Sequence, residues 1–177
     1  MREPLWVAGG YHNFAPAFTD PRYLLDPRYA AFGNYLTTKA PYKCPSETTT
    51  HIVERNRPVP QIRSYAMNLY MGPTDSMAGR LSTRHQEYRR TSRIAQPASF
   101  FLFQDLAPQS LCTPAFIVFM PGQNGDEFFH LPAIHHNNGS VVSFADGHVE
   151  AHRWFDPRTL QKVTVGDRQS ARLNSSH

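Results

Sequence analysis

The chain has 177 residues, 40% of them apolar and 18% charged, which suits one domain with a packed core and excludes wholesale disorder. A formal charge of +4 is too small to imply a nucleic-acid partner without a concentrated patch. No run approaches the roughly eighteen apolar residues of a membrane-spanning helix, and MREPLWVAGGYHNF lacks the apolar stretch of a signal peptide.

Pro4, Pro16, Pro21, Pro27 and Pro41 limit any helix in the first forty residues to short pieces. The best candidate starts at Asp26 as N-cap with Pro27 at the first helical position. It places Tyr29, Phe32 and Leu36 at helical spacing. Residues 51–60 are polar and proline-rich and read as loop. Residues 62–71, IRSYAMNLYM, read as a strand that stops at Gly72-Pro73. The five arginines within 79–93 read as a solvated segment, since aromatic residues that could stack on bases are nearly absent there. ASFFLFQD after Pro97, and FIVFM at 116–120, are short apolar runs of the kind that form buried strands.

Asp146-Gly147, between SVVSFA and HVEAHRW, signals a β-hairpin over 140–154 with a two-residue type I′ loop. That register pairs Phe144 with Val149 and Val142 with Ala151 on the core face, leaving His148, Glu150 and His152 outside. Three residues spaced two apart span about 13 Å of strand, too far for that row to meet one ion. The same region offers a second reading, a small metal-binding or metal-dependent hydrolase domain using His130, His135, His136, Asp146 and His148. Cys44 and Cys112 are compatible with one disulfide or with two buried thiols.

His136, nine residues and then Asp146-Gly147 form the spacing that names the prepilin-type processing-associated H-X9-DG family. Here the spacing sits within HHNNGSVVSFADGHVEAHRW, which resembles that family's C-terminal pattern. PYKCPSE resembles its Y-x-C-P-S segment, SYAMN its S-Y-x-x-N segment and RIAQPASFFLFQD its P-S-x-x-x-L-F-x-D segment. The matches run in order over residues 41–155. The family is similar to type II secretion pseudopilins and type IV pilins. The resemblance therefore implies an α+β pilin-like head with an antiparallel sheet, carried by an N-terminal hydrophobic helix at a bacterial envelope.

On that basis residues 1–166 are expected to be one head domain with a structural or assembly role and no catalysis. Its partners would be other envelope proteins, with no nucleic acid expected. Membrane attachment would come only through an anchor helix that these residues do not display, so Met1 is expected to be an internal start. An extracytoplasmic head would meet an oxidising environment, where a Cys44–Cys112 disulfide could form. Pseudopilins can bind calcium through loop oxygens; the candidates here are Asn124, Asp126 and Glu127, which fall short of an EF-hand's ligand set. No other cofactor is expected. Residues 167–177, DRQSARLNSSH, resemble a translated sequencing-library adapter except at Gln169 and Ala171, and are expected to lie outside the fold.

Overall fold

The computed structural model describes residues 6–8, 14–71, 88–117 and 130–160. Two α-helical turns, α1 (Pro16–Thr19) and α2 (Arg22–Leu25), precede a two-stranded ribbon, β1 (Thr50–Val53) and β2 (Arg57–Pro60). The remaining strands are β3 (Tyr65–Asn68), β4 (Phe101–Asp105), β5 (Ala115–Phe116), β6 (Gly139–Phe144) and β7 (Val149–Arg153). They form a five-stranded sheet in the order β5-β3-β4-β6-β7, antiparallel except for the β3–β5 pair. The class is thus mixed α+β with a mainly antiparallel sheet.

Both faces of the sheet's centre are covered. Trp6, Val7, Leu24, Ala30, Tyr42 and Ile62 form one buried cluster, against which Tyr65, Met67 and Phe103 pack. Ala17, Phe18, Ala66, Leu106, Leu111 and Phe116 form another, joined by Phe101. On β3 the division follows strand alternation, with Tyr65 and Met67 on one side and Ala66 on the other. Phe101 and Phe103 should share a face, yet they join different clusters. The β4–β6 register slips between them, and such a bulge re-aims the side chain beyond it. Trp6 closes the first cluster with an edge contact to Phe103 and an indole N–H donated to the Pro114 carbonyl at 2.7 Å. Burying each large side chain contributes about 1.5–3 kcal/mol.

Several sequence expectations are corrected. The helix expected from Asp26 does not form: residues 27–29 and 31–35 are turns, and Asp26 is extended at φ −88°, ψ 123° as the cap that ends α2. The cause is the Asp-Pro step, because proline disfavours the helical region for the residue before it. Asp26 instead accepts the Arg28 backbone N–H at 2.9 Å. The same Asp-Pro-Arg turn recurs at Asp20–Arg22 (3.0 Å) and Asp156–Arg158 (2.8 Å). Gly33 packs so tightly over this turn that a Cβ there would lie 2.6 Å from the Pro27 nitrogen.

Residues 51–60, expected as loop, lie largely in the β1–β2 ribbon. Two strands leave every outer edge free, so Pro58 and Pro60 interrupt no ladder. The C-terminal hairpin forms, but one residue out of the expected register: Ser143 pairs with Val149 and Val142 with Glu150. The loop has three residues, Ala145-Asp146-Gly147, because only Gly147 (φ 95°) is left-handed while a type I′ turn needs two such residues. Val149, expected in the core, is 61% exposed, and Ala151 is exposed with the rest of β7, because this outer strand is open to solvent on both faces. Val142 is buried as expected, and Phe144 is half-buried. Most of the arginine-rich segment, the end of FIVFM and the 167–177 tail lie outside the described residues.

Candidate metal centre

Asp105 is the last residue of β4, an interior strand, and its side chain has no solvent exposure. Three other segments meet it. The Ser64 carbonyl accepts the Leu106 N–H, which sets the residue before β3 beside the end of β4. The Ser64 hydroxyl also accepts the Cys44 backbone N–H at 2.8 Å, drawing in the turn after Tyr42. The Asp105 carbonyl accepts the Ala133 N–H at 2.9 Å and the Leu131 carbonyl the Ala107 N–H at 3.0 Å, so residues 131–133 run along the strand end.

The chain then enters the turn His135-His136-Asn137-Asn138-Gly139. Neighbouring residues on a strand would point their side chains oppositely. Here Asn137 (φ 52°) and Asn138 (φ 60°) are left-handed, a conformation asparagine tolerates better than most residues. The turn brings both imidazoles to one side, ring centroids 4.3 Å apart. Gly139 completes it, since a Cβ there would meet the His152 carbonyl oxygen at 2.5 Å.

The result is a cluster of four donors. His135 Nε2 lies 3.2 Å and His136 Nε2 3.4 Å from Asp105 Oδ2, and Cys44 Sγ lies 3.1 Å from His136 Nε2. One ligand atom from each of Cys44, Asp105, His135 and His136 falls within 4.8 Å of every other. Burial pushes the Asp105 carboxyl above its ordinary range; His135, Ser64 and His136 oppose that shift, and the nearby Glu47 reinforces it. Neither Asp105 oxygen completes a hydrogen bond of good geometry, and Glu47 Oε2 is likewise buried without one. The Tyr65 hydroxyl, close to both Cys44 and Asp105, is pushed up to about 12, first by burial and then by their charge.

Cysteine, histidine and aspartate together invite comparison with a nucleophilic triad. In a triad the nucleophile and the orienting carboxylate address different nitrogens of the histidine. Here Cys44 and Asp105 both approach Nε2 of His136. Donor atoms that converge on one point suit a bound cation.

The residues expected to act together are found in three places. His135 and His136 join the cluster. His130 is buried elsewhere: its Nδ1 accepts the Ile117 backbone N–H at 3.0 Å, which leaves Nε2 to carry the proton toward Cys112 Sγ, also at 3.0 Å. Asp146 and His148 sit at the hairpin tip, where the carboxylate accepts the His148 N–H at 3.1 Å and faces its Nδ1 at 2.6 Å. His148 stacks on the Phe144 ring at 4.3 Å, and His152 lies 3.8 Å from Glu150 with both side chains exposed. Of the five expected metal residues, His135 and His136 stand in the four-donor cluster among the described residues, and His130, Asp146 and His148 do not. The Asp146-Gly147 pair serves the turn, and His136 alone of the spacing motif reaches the cluster. Cys44 and Cys112 are both free thiols, so the disulfide does not form; each lies against its own histidine. The calcium candidates Asn124, Asp126 and Glu127 lie outside the described residues.

Sequence reasoning did not connect Cys44 and Asp105 with the histidines. The available signal was an acid closing the apolar run FFLFQD, since a carboxylate at the end of a buried strand needs a partner. Comparison with family models, curated proteins and solved structures finds no match to this chain.

Proposed function

We propose that the chain is a non-catalytic structural head of a pseudopilin-like assembly at a bacterial cell envelope. One observation carries the reading. The four segments that resemble the H-X9-DG family each deliver a residue to the same node: Cys44 from PYKCPSE, Ser64 from SYAMN, Asp105 from the FFLFQD strand and His136 from HHNNG. Motifs distant in sequence that meet at one buried joint are what a shared fold requires.

A structural role is further supported by the buried state of the second thiol. Cys112, paired with His130, is 5% exposed, and burial pushes its thiol up, away from the thiolate a nucleophile needs. The test is fractionation of cells carrying the gene, with an antibody against the head. The proposal expects the protein in the envelope fraction, digested by protease once the outer barrier is opened. Recovery in the cytosol, protected until lysis, would contradict it.

A further inference from the structure

We infer that Cys44, Asp105, His135 and His136 bind one zinc(II) ion, closing a structural site that ties distant chain segments to the end of β4. The inference does not depend on where the protein works.

The donor set selects the metal class. Thiolate and imidazole are poor ligands for calcium or magnesium, whereas zinc accepts sulfur, nitrogen and carboxylate oxygen in tetrahedral sites. Zinc–ligand bonds of about 2.0–2.3 Å set tetrahedral ligand atoms about 3.3–3.8 Å apart. Of the three closest separations described above, 3.4 Å falls within that range and 3.1 and 3.2 Å lie 0.1–0.2 Å below it, so the donors would move apart slightly around the ion. Charge also balances: zinc(II) with one thiolate, one carboxylate and two neutral imidazoles sums to zero, as a buried site favours.

A second, independent observation points to a ligand. Asp105 is fully buried and both its carboxyl oxygens lack a hydrogen bond of good geometry. Buried polar groups are nearly always satisfied, so a carboxyl with only the Ser64 hydroxyl as a loose partner, facing two imidazoles, is explained by a cation between them. The orienting contacts are in place as well, since Ser64 holds the Cys44 backbone and the left-handed asparagines hold both histidines. Four protein ligands leave no open position, which marks the site as structural rather than catalytic. On binding, the proton of the Cys44 thiol and any proton on Asp105 are released to solvent.

The test uses the 177-residue chain, stripped of metal and titrated with cobalt(II) and then zinc(II). The expected result is one cobalt per chain, with intense tetrahedral d–d bands and a thiolate-to-cobalt charge-transfer band, both abolished by stoichiometric zinc. Cys44→Ser should lose the charge-transfer band, and His136→Gln should weaken binding by roughly 100-fold or more, while His148→Gln binds as the parent does. Should the variants fail to fold, alkylation of the parent decides: zinc must protect Cys44 from iodoacetamide under conditions where the stripped protein reacts. Weak octahedral bands, a charge-transfer band surviving in Cys44→Ser, or no protection by zinc would each overturn the assignment.

Discussion

His135 Nε2 stands 3.2 Å from Oδ2 of Asp105, a carboxylate with no exposure to solvent, and neither group completes a good hydrogen bond with the other. This near-contact decides what Asp105→Asn should do. Without metal, the protein carries a buried carboxyl held only loosely by the Ser64 hydroxyl. Removing it should leave stability unchanged or raise it by about 1–3 kcal/mol. In zinc-loaded protein the same change removes a ligand and should lower the melting temperature. Urea melts with and without metal check the reversal of sign; destabilisation in both states would mark Asp105 as a hydrogen-bonding residue only.

The hairpin yields a prediction opposite to the one its sequence suggests. Val149 lies on the open outer strand, so Val149→Thr should change stability by less than about 0.5 kcal/mol. Gly147, at φ 95°, has space around it but adopts a backbone that L-residues avoid, so Gly147→Ala should cost about 1–2 kcal/mol. Gly139→Ala should cost more, because its Cβ would meet the His152 carbonyl and force β6 from β7. Equal effects at Val149 and Gly147 would refute the three-residue loop.

The sequence makes some of this architecture readable and hides the rest for physical reasons. The apolar runs at 62–71 and 98–105 and the Asp-Gly turn locate β3, β4 and the hairpin, because alternation and turn chemistry are local. The hairpin register differs from expectation by one residue, since Asp-Gly serves two loop types and tertiary packing chooses between them. The Asp26-Pro27 pair has the form of a helix start, yet the proline holds Asp26 extended. At the candidate site, histidine density draws attention to His130 and His148, which the fold sends elsewhere. Cys44 and Asp105 stay hidden because their meeting depends on long-range contacts through Ser64 and Ala133.

The Asp-Pro-Arg turns predict a particular acid response. The Arg28 side chain, its largest influence, holds the Asp26 carboxyl down to about 2, and Arg158 does the same for Asp156. A depressed carboxyl stabilises the fold above its unfolded value of about 3.9, and that contribution is lost as pH falls toward about 2. Carboxyl-carbon NMR titration should find both midpoints near 2, and Arg28→Gln should return that of Asp26 toward the ordinary value. A midpoint unmoved by the substitution would show that the turn does not form in solution.

Arg63 is a buried cation satisfied without a carboxylate. It donates to the Tyr65 carbonyl at 2.8 Å and the Thr113 carbonyl at 3.3 Å, lies 5.6 Å from the Trp6 ring centre, and is lowered to about 10 by burial. Lysine keeps the charge but lacks the planar fork that reaches two carbonyls while stacking on indole. Arg63→Lys should therefore destabilise by about 1.5–3 kcal/mol in a denaturant melt. A neutral result would mean that the fork geometry contributes little.

Closure of the node at Asp105 by a metal is read from a thermal melt of protein purified without chelator, repeated after a strong chelator. The melting temperature should fall, added zinc should restore it, Cys44→Ser should abolish the response and His148→Gln should leave it intact. A melting temperature indifferent to chelator and zinc would contradict closure by a metal. So would a chelator response that vanishes in His148→Gln, which would return the metal to the hairpin tip.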